Sequence, residues 1–107
     1  MVSGSKKVLV FMSLRTQQYE VLLELLRDRR EAVGLRQSDL ADRLGQNQAT
    51  VSRVETGETG LDIIELREWL QGLGVAFLPF MKALDARLDA ISGAGLRRPP
   101  VNGSSRR

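Results

Sequence analysis

Between residues 16 and 91 apolar residues recur every third or fourth position, and each run closes on a glycine, the signature of short amphipathic helices separated by tight turns. The first is expected from an N-cap at Thr16, through Tyr19, Leu22, Leu23, Leu26, Arg30 and Val33, to Gly34. Ser38 and Asp39 open a second, with Leu40, Ala41 and Leu44 on one face and Gly45 at its end. Asn47 caps a third that carries Val51 and Val54 and stops at Gly57. Asp62 caps a fourth with Ile63, Leu66, Trp69, Leu70 and Leu73, stopped by Gly72 and Gly74, and Pro79 suits the first turn of a fifth running to about Ile91. The expectation is one all-α, five-helix domain over 16–91.

Two flanking segments lack this rhythm. Val8 to Leu14 is apolar and β-prone, which predicts a short strand or an extended arm over 7–14, within an N-terminal region 1–15. Residues 92–107 hold Gly, Ser and Pro with only Leu96 and Val101 as sizeable aliphatics, too little apolar surface to offset ordering, so a basic disordered tail is expected.

Composition narrows the chemistry. The 107 residues include no Cys and no His, which excludes disulfides, thiolate zinc sites and imidazole acid–base catalysis; no enzyme activity, cofactor or metal is expected. The longest unbroken apolar run, Val8 to Met12, is far below the roughly 20 residues that span a bilayer. No membrane association is expected, and a cytoplasmic, nucleoid-associated protein is. The net charge of +3 hides a split, because seven of the 16 basic residues lie in the two ends and all 13 acidic residues lie between them. The helical domain is therefore net acidic, and any binding to nucleic acid must come from locally placed groups.

Residues 37–55, QSDLADRLGQNQATVSRVE, carry the most specific pattern. Two short helices set at an angle need a small residue where their backbones approach, a residue free of Cβ strain at the turn, and aliphatics that lock the angle. Ala41, Gly45 and the set Leu40, Leu44, Val51 and Val54 supply these at helix-turn-helix spacing. The opposite face of the third helix keeps short or hydrogen-bonding side chains: Gln48, Ala49, Ser52 and Arg53.

With GLRQSDLADRLGQNQATVSRVETG from Gly34 to Gly57, followed by LDIIELREWLQGLGV, the chain resembles the Xre/Cro type of helix-turn-helix regulators, which includes the phage 434 and lambda repressors. The resemblance implies a lambda-repressor-like fold and a homodimer that binds a two-fold symmetric, double-stranded DNA operator, usually to repress transcription. In such proteins the N-terminal part of the third helix enters the major groove, so Gln48 and Ala49 would face base edges first and Ser52 and Arg53 a turn later. Gln37, Asn47 and Thr50 are then candidates for phosphate contacts. The resemblance also implies a partly buried ion pair between Arg30 and Glu55. One departure stands out: Glu58, Thr59 and Gly60 occupy the loop where family members often place Arg or Lys. Phosphate affinity would then lean on Lys6, Lys7, Arg36, Arg43 or the basic ends.

Phe77, Met81, Leu84, Leu88 and Ile91 repeat at heptad spacing, with Phe80 widening the stripe. Either this stripe dimerises or it packs on its own core, and residues 8–14 are the rival interface. Two other functions share the fold: an antitoxin that represses its own operon and blocks a toxin or other partner protein through the arm or tail, and a non-DNA protein-interaction adaptor.

Overall fold

The computed structural model describes the backbone of residues 2–92 and the side chains of residues 16–91. Five helices follow one another: α1 (Val2–Ala32), α2 (Gln37–Leu44), α3 (Gln48–Glu55), α4 (Ile63–Leu73) and α5 (Phe77–Ser92). No strand occurs among the described residues. The core gathers Leu25 and Leu26 of α1, Leu40 and Ala41 of α2, Val51 and Val54 of α3, Leu66, Trp69, Leu70 and Leu73 of α4, and Phe80 and Leu84 of α5. α2 packs on α3 and α4, and α1 packs on α3 and α5.

The largest difference from the sequence expectation lies at the amino end. Residues 7–14 form neither a strand nor an extended arm; they continue α1, and Thr16 lies inside that helix rather than capping it. No Gly or Pro occurs from Ser5 to Arg15. Extending an existing helix adds one hydrogen bond per residue without a new nucleation cost, which outweighs the mild β preference of Val8, Val10 and Phe11. A 31-residue helix results, about 46 Å long at 1.5 Å per residue. The basic tail, from residue 93 onward, lies outside the described residues.

Smaller differences have local causes. α2 opens at Gln37, one residue before Ser38, with Arg36 as its N-cap. Gly72 does not stop α4 but sits inside it, where a β-carbon would stand 2.9 Å from Leu44 Cδ2 and 3.2 Å from Leu40 Cδ1. The missing side chain lets α2 approach α4. Gly74, at φ 73°, ends that helix. Val33 and Ile63, expected on apolar faces, are exposed.

The apolar stripe of α5 is largely taken up by the chain's own core. Phe80 and Leu84 are buried there, and Phe77, Met81 and Leu88 pack against its edge. Phe80 and Leu84 thus cannot face a partner without leaving the core, whereas Ile91 is 48% exposed. No helix among the described residues is long and apolar enough to cross a membrane.

Candidate nucleic-acid interface

The angle between α2 and α3 is set by a tight turn. Gly45 adopts φ 68°, the left-handed conformation that side chains with a β-carbon disfavour, and the Gln46 N–H donates to the Ala41 carbonyl at 2.8 Å. Asn47 then caps α3: its Oδ1 accepts the Thr50 backbone N–H at 2.8 Å and the Thr50 hydroxyl at 2.9 Å. Asn47 and Thr50, both phosphate candidates, hold each other at the start of this helix.

Beyond the cap, Gln48, Ala49 and Arg53 are exposed and Ser52 is half-buried. Val51 and Val54 are buried beneath them. Arg53 has no ion-pair partner among the described residues. Gln48 is not free. Its Nε2 donates to Gln37 Oε1 at 2.7 Å, and Gln37 Nε2 donates to Glu55 Oε1 at 2.9 Å.

Glu55 anchors this chain of bonds. It is buried, and Arg30 Nε donates to its Oε2 at 2.6 Å while Arg30 Nη2 donates to its Oε1 at 3.0 Å. Arg30 Nη1 also donates to the Leu35 carbonyl at 2.8 Å, and Arg27 Nη1 reaches the Glu55 carbonyl at 3.4 Å. The hydrogen bond to Glu55 holds the Arg30 guanidinium above its already high ordinary pKa, against the opposing pull of desolvation. Arg30 and Glu55, 25 residues apart, are therefore brought together in a bidentate pair linking α1 to the end of α3.

This arrangement fixes the direction of every bond. A carboxylate only accepts, so Gln37 must turn its amide nitrogen toward Glu55 and its oxygen toward Gln48. Gln48 must then donate its nitrogen to that oxygen. One N–H and the carbonyl oxygen of Gln48 remain to face outward.

The arginines expected at phosphates are differently engaged. The carboxylate of Asp39 accepts the Arg36 backbone N–H at 2.8 Å, Arg36 Nε at 3.1 Å and Arg36 Nη2 at 3.1 Å. Arg43 Nη1 donates to the Gly72 carbonyl at 3.0 Å, satisfying one of the open carbonyls in the last turn of α4. The side chains of Lys6 and Lys7 lie outside the described ones.

Arg36 beside Asp39 lowers the carboxyl of that residue from 3.8 to about 2. Between these values an unfolded chain takes up the proton before the folded chain does. The stabilisation is complete above the ordinary value and is lost as pH falls through about 2. An NMR titration should give the Asp39 side-chain carbon a midpoint near 2, and Arg36→Ala should return it toward 3.8. A midpoint already at the ordinary value in the unaltered protein would show that the pair does not form in solution.

Sequence reasoning missed two groups that shape this face. The Tyr19 hydroxyl of α1 accepts the Leu61 N–H at 3.2 Å and so fastens the loop after α3; Tyr19 reads in the sequence merely as part of an apolar stripe. Asp39 reads in the sequence only as an opener of the second helix, and its part as the capping partner of Arg36, three residues before it, was missed because an arginine N-cap gives no signal.

A helix-turn-helix family model matches residues 26–80, which span α2, α3 and α4 with the adjoining parts of α1 and α5. Among solved structures, an XRE-family like protein from Pseudomonas syringae pv. tomato str. DC3000 is 35% identical, with a TM-score of 0.67 over 72% of this chain and 96% of that one. No protein of curated function matches the chain. A shared fold, a shared sequence pattern and the α2–α3 geometry agree: the chain belongs to the Xre family of helix-turn-helix DNA-binding regulators.

Proposed function

We propose that the chain is a sequence-specific transcriptional repressor of the phage or prophage kind, acting as a homodimer on a two-fold symmetric operator in the cytoplasm. The observation that carries this reading is the polarised chain from Glu55 through Gln37 to Gln48, which ends on an exposed amide beside Arg53, a cation with no ion-pair partner among the described residues. A helix surface that only needed solubility has no use for a fixed hydrogen-bond direction.

The outward N–H and carbonyl oxygen of Gln48 match adenine, whose N7 accepts and whose N6 donates in the major groove. Arg53 has the fork geometry for guanine O6 and N7, Ala49 suits a thymine methyl, and Ser52 takes either partner. Asn47 and Gln37, each with an amide N–H to spare, flank this face and fit phosphate, and Thr50 can join them once its hydroxyl turns from Asn47, with Lys6, Lys7 and Arg43 adding positive charge. Because α3 has only eight residues, one copy reads few base pairs. A dimer doubles the site; Ile91, exposed on α5, and residues 8–14, the rival interface in the sequence, are the candidates for its seam.

A non-DNA adaptor is the second reading, favoured by the acidic balance of the helical domain and by the occupation of Arg36 by Asp39. Selection of bound duplexes from a random pool separates the two. The repressor reading expects an enriched motif with two-fold symmetry and half-sites one helical turn, about 34 Å, apart. Retention without any enriched motif, or no retention, would favour the adaptor.

A further inference from the structure

Arg36 is the N-cap of α2 and directly precedes Gln37, whose side chain accepts from Gln48 Nε2, so its backbone adjoins the proposed reading face. Its side chain is 81% exposed, yet it lies back along α2 in a two-pronged contact with Asp39. Asp39 is doubly held, since it also accepts the Arg36 backbone N–H and thereby caps the helix. Its pKa, lowered to about 2, agrees with a carboxylate that stays ionised and paired across the physiological range.

A phosphate oxygen pair offers a guanidinium the same fork-shaped acceptor as a carboxylate. Asp39 takes the Nε–Nη2 edge of that guanidinium, so a phosphate cannot use the same edge at once and meets the outer Nη1 end only beside a like-charged carboxylate. We propose that Asp39 is an intramolecular competitor of the DNA backbone for Arg36, so that the ion pair withholds one phosphate contact per protomer and sets how weakly the protein holds DNA irrespective of sequence. This rests on the DNA-binding reading above. Its functional consequence is specificity. Sequence-independent attraction binds the protein to every competing site, so trimming it raises the share of binding that depends on base contacts. The acidic loop residue Glu58 acts in the same direction where a basic side chain would add attraction.

The test is a double-mutant cycle on duplex DNA of scrambled sequence, followed across a range of salt concentrations. Asp39→Asn keeps a side-chain oxygen for the helix cap and removes the charge; Asp39→Gln, another residue suited to this capping position, is the second variant if the first lowers melting. Either should tighten binding about five- to tenfold at 0.1 M salt and steepen the dependence of log affinity on log salt by about 0.9 per protomer. Arg36→Ala should change the unaltered protein less than about twofold and remove the whole gain from the Asp39 variants, the pattern expected of a withheld contact. Asp39→Glu should behave as the unaltered protein. Unchanged affinity in both neutral variants would overturn the proposal. A gain that survives Arg36→Ala would also overturn it, because Asp39 would then only repel the duplex. If the unaltered protein binds no duplex at any salt, the DNA-binding reading itself falls, and this inference with it.

Discussion

Arg30→Ala should cost roughly 3 to 5 kcal/mol of folding stability, and denaturant unfolding followed by circular dichroism would read it directly. The pair is buried on both sides, with side-chain exposures of 10% for Arg30 and 3% for Glu55. Removing the guanidinium leaves the Glu55 carboxylate with one remaining side-chain donor, Gln37, and leaves the Leu35 carbonyl without its Arg30 partner. An uncompensated buried charge is the dominant penalty, larger than the lost attraction itself. The pair is therefore better understood as fixing geometry than as a source of stability. Replacing both partners by apolar residues of similar size, Arg30→Met with Glu55→Leu, should cost much less than the single change. That double variant should nonetheless lose base preference, because Gln37 no longer has a carboxylate to orient it. A single-variant cost below about 1 kcal/mol would mean that water reaches the pair and that it does not set the angle between α1 and α3.

Gln48→Ala should remove about 1 to 3 kcal/mol of discrimination at one base pair in each half-site, and twice that across a symmetric operator. The orienting partner makes a sharper distinction. Gln37→Ala leaves Gln48 in place but frees its amide to turn over, so either donor or acceptor pattern can be met. The expected result is a blurred preference at that base pair with overall affinity reduced much less than by Gln48→Ala. Arg53→Ala should act at a different base pair and add to the loss, since its guanidinium shares no partner with the Gln48 chain. Competition titrations against operators altered one base pair at a time separate these effects. Equal losses on every sequence for Gln48→Ala would turn this face into one that contacts only the backbone.

The α2–α3 unit was legible because its requirements are local: Leu40, Ala41, Gly45, Val51 and Val54 each answer a steric need at a fixed spacing, and all but the turn glycine are buried. The start of α1 was not. Val8, Val10 and Phe11 weigh toward a strand when read alone, and only the continuing helix behind them decides otherwise. The stripe on α5 announced burial without saying against what, and Phe80 and Leu84 turned out to face the chain's own core. Charge was the least legible property. A sequence counts Arg36 and Arg43 as available cations, whereas one is paired with Asp39 and the other with the Gly72 carbonyl. Arg30 and Glu55 are too far apart in the chain for spacing to connect them, and only the family resemblance pointed to their contact. The bond between Gln37 and Gln48 joins two helices across the turn and required coordinates to see.

The central claim is that this face reads sequence. It is tested most directly by titrating the unaltered protein, at several salt concentrations, against its selected operator and a scrambled duplex of equal length and composition. The account predicts that the operator binds at least about 1,000-fold more tightly near physiological salt. It also predicts that this ratio persists as salt rises while both affinities fall, because base contacts are less sensitive to salt than phosphate contacts. Equal affinities for the two duplexes at every salt concentration would contradict it.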